Sequence, residues 1–262
     1  MRYLLFSFLL LALIPTAWAG RTFNGSTQYA SAASSSDYNS TDITVSLWVY
    51  IPTGNSMDGS SFRLIEIGGY NSGSPLDGVA LELDYNDGVI NGLVWEGGNW
   101  VSNIGSGYSF SLDTWTHVAV TARLTTSELN EFYAAGSQSG LDLTSGGRTA
   151  NSQALTLGAN NVSHDGNFFE GYLAELAIFD TNLSASDVSD LAAGGSPVAV
   201  NEAALVAYWR MDGSGSTESD YVSSATLTYT GSPGTTTPPT VDDPPAGGTT
   251  IPIFQSHQLR TQ

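Results

Sequence analysis

The chain has 262 residues, 25 acidic residues against seven basic ones, and a formal charge of −18; all seven basic residues are arginine, and cysteine is absent. A surface so acidic repels phosphate backbones and anionic lipid, which excludes nucleic acid as a partner. Without cysteine there are no disulfides, thiolate metal sites or thiol nucleophiles, so an exported chain of this kind has to rest on a packed apolar core.

Residues 1–19 read as a secretory leader rather than as part of the fold. Arg2 supplies the positive start, residues 4–14 are apolar apart from Ser7, Pro15 ends the run, and Ala17-Trp18-Ala19 is a small-x-small cleavage site. The apolar run falls short of the roughly 20 residues that a spanning helix needs. The mature chain is therefore expected to be secreted, extracellular or on the cell surface, with no membrane span. Losing Arg2 takes its formal charge from −18 to −19.

The remainder reads as short strands between glycine, asparagine and aspartate turns. Residues 43–51 (ITVSLWVYI) are β-branched and aromatic and end at Pro52-Thr53-Gly54. Residues 62–67 form a second run, closed by Gly68-Gly69. Residues 79–85 and 89–95 flank Asn86-Asp87-Gly88, a strong hairpin signal. Gly97-Gly98 turns the chain before Trp100-Val101, and further strands are expected at 115–122, 154–158, 172–179 and 204–211. Residues 125–132 read as loop or strand. One short helix is expected after Ser184, with Asp187 as the capping-box acid, Leu183, Val188 and Leu191 on its apolar side, and Gly194-Gly195 as its stop. Residues 231–250 turn to Gly, Pro, Thr and Asp, the composition of a linker.

Many short strands, one brief helix and no long crossover helix give an all-β, antiparallel sandwich. The expected division is a cleaved leader at 1–19, a sandwich at 20–230, and a disordered linker and tail at 231–262. Alternation places Trp115, His117 and Ala119 on one sheet face and Val118 and Val120 on the other. Trp48, Trp115, Trp209, Val118, Leu176 and Ile178 are expected in the core, and His117 reads as a hydrogen-bonded framework residue.

Four segments recur in a telling order: Phe23-Asn24-Gly25 with residues 43–49; Trp115-Thr116-His117-Val118-Ala119-Val120-Thr121; Leu155-Thr156-Leu157-Gly158; and residues 169–180 followed by Leu183-Ser184-Ala185. Together they resemble the laminin-G-like jelly-roll domains of the concanavalin A-like lectin and glucanase superfamily. Residues 205–213 resemble a segment often found beside such domains in bacterial and phage proteins. The resemblance implies a jelly-roll sandwich over residues 21–230. Members of that superfamily bind sugars, proteins or calcium, and some are glycosidases, so the fold alone does not fix the activity.

The laminarinase-type glucanases of that superfamily carry Glu-x-Asp on a strand, with a second Glu shortly after. Here Glu82 and Asp84 share a sheet face, but Asp87 stands in an Asn-Asp-Gly turn where the second Glu belongs. A retaining glycosidase needs two apposed carboxyl groups, and a turn aspartate has an ordinary structural use. No catalytic residue is therefore expected. Calcium is a candidate cofactor, with Asp165 and Asn167 as ligands in the oxygen-rich loop 160–167. The closing strand reads Ala174-Glu175 where family domains often carry Asp-Glu, so the resemblance does not extend to the usual ion there. For a ligand, Trp95 and Trp100 flank a turn that ends in Asn99 and pairs flat rings with polar groups; the other reading is that one or both rings are buried or clamp the hairpin. The leading expectation is a secreted, non-catalytic binding or adhesion module for glycan or an extracellular protein. The alternative is a structural surface or virion-associated spacer, and a laminarinase-like glycoside hydrolase comes third.

Overall fold

A computed structural model describes residues 20–35, 40, 42–57, 61–71, 74–96, 99–104, 107–123, 129–143, 154–160 and 166–236. The expected leader, Asp165, and the chain beyond residue 236 lie outside the described residues.

In chain order the strands are β1 (Gly20–Asn24), β2 (Tyr29–Ala32), β3 (Ile43–Tyr50), β4 (Ser61–Asn71), β5 (Ser74–Asp84), β6 (Val89–Glu96), β7 (Asn99–Asn103), β8 (Tyr108–Ser109), β9 (Trp115–Ala122), β10 (Leu129–Ala134), β11 (Ser137–Leu143), β12 (Leu155–Leu157) and β13 (Glu170–Phe179). Helices α1 (Ala185–Ala192) and α2 (Pro197–Asn201) follow, then β14 (Leu205–Trp209), β15 (Thr217–Ser219), β16 (Thr226–Thr230) and β17 (Thr235–Thr236). Among the described residues these form two antiparallel sheets. The first runs β11-β10-β9-β3-β13-β1-β17, with β14 also on β13; the second runs β15-β16-β2-β12-β4-β5-β6-β7, with β8 also on β6.

The core between the sheets follows from alternation. Ile43, Val45, Leu47 and Val49 of β3 face inward with Val118 and Val120 of β9, and meet Leu64, Leu81, Leu83 and Ile90 of the second sheet. Leu176, Ile178 and Trp209 are fully buried in the same cluster. Trp48 and Trp115 correct the core expectation. They pair with His117 and Tyr50 on the opposite, outward face and are only partly buried. The register expected for β9 holds, but the aliphatic row rather than the tryptophan row faces the core.

Among the described residues two helices are present where one was expected. In α1 the Ser184 side chain accepts the Asp187 amide at 3.2 Å while Asp187 accepts the Ser184 amide at 3.1 Å, a complete capping box. The second helix, α2, starts with Pro197 in its first turn, where a missing amide costs nothing. Residues 231–236, expected to open the linker, belong to the sandwich instead. Thr235 and Thr236 pair with Arg21 and Gly20 of β1, and the Gly234 carbonyl accepts the Thr22 amide at 3.1 Å. Their loop-like composition hid two residues of edge pairing.

Candidate functional site

Each sheet has an outward face, and the two differ in what they carry. On the first sheet, the outward residues of β3 run Thr44, Ser46, Trp48 and Tyr50. The Thr44–Ser46 half lies under the helices. Ala119, Ala177, Phe179 and Tyr208 pack there with Val188 and Leu191 of α1. Thr44 fastens that cover, donating to the Thr181 carbonyl at 2.7 Å and accepting the Leu183 amide at 3.0 Å.

The Trp48–Tyr50 half carries an aromatic cluster. Register sets Tyr172 of β13, Tyr50 of β3 and Trp115 of β9 side by side. Ring centroids lie 5.1 Å apart for Tyr50 and Tyr172, 5.6 Å for Tyr50 and Trp115, and 6.4 Å for Trp115 and Tyr172, so the three form a triangle. All three rings, and Trp48 one rung away, are partly exposed. One glycine borders this cluster. A Cβ on Gly20 would fall 3.0 Å from Trp115 Cη2, so a side chain there would press on that ring. A Cβ on Gly171, at φ 151°, would instead meet the buried Phe169 ring and, at 2.5 Å, the Tyr50 carbonyl oxygen.

Polar groups border the rings. Asp113, at φ 56° in the turn before β9, accepts the Thr53 amide at 2.9 Å, the Thr53 hydroxyl, and the Tyr50 phenol at 3.3 Å. The Thr53 bonds hold the Asp113 carboxyl below its ordinary range, so it stays ionised. Beneath the rings, His117 Nε2 lies 2.8 Å from Ser46 Oγ, and the imidazole meets the Trp48 ring edge-on at 5.4 Å. Burial pushes its pKa down to about 3, so it is a neutral framework residue.

The second sheet's outward face is ionic and closed. Arg63 of β4 donates from Nε to Glu66 at 2.9 Å and meets the Glu82 carboxylate through Nη1. Its guanidinium lies 5.7 Å from the Trp95 ring. Arg63, Glu66, Glu82, Asn91 and Trp95 are all buried. Burial lowers the Arg63 pKa, and Glu66 opposes that shift.

Only part of the expected site falls on described side chains. Trp95 is 1% exposed and packs with Ala80 and Leu93, so its ring is not presented to solvent. The backbones of Asn99 and Trp100 are in β7, where they pair with Glu96 and Trp95; their side chains lie outside the described residues. Asn167 is exposed at φ 56°, and its carbonyl accepts the Arg63 amide at 3.0 Å. Glu82 is engaged by Arg63, while Asp84 accepts the Asp87 amide at 3.2 Å within the turn. Sequence reasoning missed Glu66 and the Tyr50–Trp115–Tyr172 cluster. The signal was available in β3, whose other alternate positions are aliphatic throughout and so claim the core. A cleft of about 200 Å³ beside Ser34, Ser35 and Ser223 has only small, neutral lining residues. Among the described residues no helix is long and apolar enough to cross a membrane.

Comparison with solved structures agrees on the architecture. A candidate carbohydrate-binding protein from Bacteroides ovatus superposes with a TM-score of 0.61 at 14% identity, covering 87% of this chain, which spans 61% of that protein. A heptameric SAP-like pentraxin from Limulus polyphemus gives 0.51 at 15% identity over 67% of this chain and 82% of its own. The receptor-binding domain of botulinum neurotoxin mosaic serotype C/D gives 0.51 at 15% identity over 68% and 42%. No curated protein sequence matches the chain. The family model of the concanavalin A-like lectin/glucanases superfamily matches residues 24–189, and the chain belongs to that superfamily.

Proposed function

We propose that this chain is a secreted, non-catalytic binding module that docks a neutral glycan on the aromatic cluster of the first sheet. The observation that carries the reading is the partly exposed triangle of Tyr50, Trp115 and Tyr172 beside the ionised Asp113. Flat rings cover the C–H face of a sugar, while a carboxylate and nearby hydroxyls accept and donate to its hydroxyl groups. A chain of formal charge −18 favours an uncharged ligand over an anionic one. The likeness in fold to a candidate carbohydrate-binding protein supports the choice of glycan over protein. Against hydrolysis stands the burial of Glu82, which Arg63 engages, while Asp84 is taken up by the Asp87 amide within the turn, so this pair is not presented to a substrate.

A panel of neutral polysaccharides titrated calorimetrically against wild type, Trp115→Ala and Trp100→Ala tests this. Wild type and Trp100→Ala are expected to bind, and Trp115→Ala is expected to lose binding. Unchanged affinity in Trp115→Ala overturns the site, and loss only in Trp100→Ala moves it to the β6–β7 hairpin. Repeating the titration with chelator tests calcium at Asp165 and Asn167, where bound ion would make affinity calcium-dependent. Release of reducing sugar by wild type would overturn the non-catalytic reading.

A further inference from the structure

The chain beyond the family match does something the matched span does not. After α2 it adds β14 to the first sheet, crosses to add β15 and β16 to the second, and returns to add β17 to the first. Residues 205–236 are thus a clasp over one edge of both sheets. Its crossings are fastened by polar groups. Arg21 of β1, fully buried, donates to the Gly215 carbonyl at 2.8 Å and the Pro233 carbonyl at 3.4 Å, one on each crossing, and stacks 3.9 Å from the Tyr229 ring centre. Glu218 of β15 accepts the Met211 amide at 2.5 Å and the Tyr229 hydroxyl at 2.9 Å.

Glu175 links this clasp to the matched span. It is the extra residue of a β-bulge in β13, at φ 54°, where the neighbouring strand changes from β1 to β14. Its amide donates to the Arg210 carbonyl at 3.3 Å, and its carboxyl receives the Tyr208 hydroxyl of β14. The charged groups around it are Arg210 and Asp212 after β14 and Glu218 on β15, while Asp220 accepts the Tyr208 amide at 2.8 Å. β9 adds His117, neutral through burial, to the same outward face.

We propose that this clasp is a pH-responsive device: protonated Glu175 holds residues 205–236 against both sheets, and alkaline ionisation of that carboxyl loosens them. The physical cause is burial of a new negative charge, placed near Asp212 and Glu218, which the hydrogen bond from the Tyr208 hydroxyl and the Arg210 cation only partly offset. Burial already pushes the Glu175 carboxyl up to about 8 and raises that of Glu218, so the change falls in mildly alkaline solution. The proposal is independent of what the aromatic cluster binds.

Amide hydrogen exchange on the full chain, corrected for intrinsic rates, tests it between about pH 6 and about pH 10. Amides of β14 and β16 should lose protection by at least about tenfold across that range, with those of β5 and β6 unchanged. Glu175→Gln, which keeps a neutral polar group, should hold protection at both ends. Should that variant not fold, Glu218→Gln removes one negative neighbour and should lower the midpoint of the transition. A flat wild-type profile, an equal loss in Glu175→Gln, or an unmoved midpoint in Glu218→Gln overturns the proposal.

Discussion

On the first sheet, the outward positions of β3, β9 and β13 hold Trp48, Tyr50, Trp115 and Tyr172, partly open to solvent. On the second, the outward positions of β4, β5 and β6 hold Arg63, Glu66, Glu82 and Trp95, all buried. Both faces come from the same period-two alternation around one aliphatic core. They differ in kind of residue and in cover, and the difference separates a partly open aromatic surface from an internal ionic network. The lesson concerns tryptophan. Trp95, which the sequence offers either as a ligand ring or as a strand-end ring pointing inward, is enclosed, while Trp115 looks like core and is partly exposed. Ring size does not tell the two apart, because both rings lie on outward faces and what decides is whether that face is covered.

Breaking the ionic face should have the largest effect. Arg63→Ala leaves Glu66 and Glu82 buried without their cation, and is expected to cost about 3–5 kcal/mol in urea unfolding. Replacing all three with apolar residues of similar size should recover most of that loss. A single-variant cost under about 1 kcal/mol would mean the face is solvated, and the contrast between the sheets would fail.

The pH dependence comes next. Glu175 has an ordinary value of 4.5 and a folded value of about 8, so the folded chain holds a proton that the unfolded chain releases between them. Stability from this group is therefore full below pH 4.5, falls as pH rises through 8, and levels above it. The expected loss is about 2–4 kcal/mol across the window, and Glu175→Gln should flatten the curve.

Trp115→Ala should cost only about 1–2 kcal/mol of stability, because the ring is half-buried, while removing ligand affinity. A loss of about 3–5 kcal/mol, the range for a deleted core aromatic, would put Trp115 back in the core role that the sequence suggested. Ser184→Ala removes one half of the capping box on α1, and a melting curve should register about 1 kcal/mol. The smallest effect is expected from the tail. Truncation after Thr236 should leave the melting temperature unchanged, whereas truncation after Thr230 also removes β17 and the Arg21–Pro233 bond and should lower it.

Much of the architecture was legible because it depends on local pattern. The β9 strand at residues 115–122 matches its expected bounds, and the Ser184 cap and the Asp87-Gly88 turn stand where their residue chemistry puts them. The candidate site was not legible to the same degree. Glu66 lies three residues from Arg63, but only the bulge in β4 and the pairing of Arg63 with Glu82 on β5 bring the three charges together. Tyr172, Tyr50 and Trp115 come from strands far apart in the chain, and sequence spacing carries no trace of their contact.

By itself, the sequence determined the acidic charge, the absence of disulfides, the period-two strands and the superfamily, since each rests on composition or on neighbours within one strand. Which face of each strand became the core, which tryptophan reached solvent, and that residues 231–236 closed the sheet edge were decided by tertiary structure. Those outcomes depend on pairing between distant strands, where burial of the aliphatic rows outweighs the preference of any single ring.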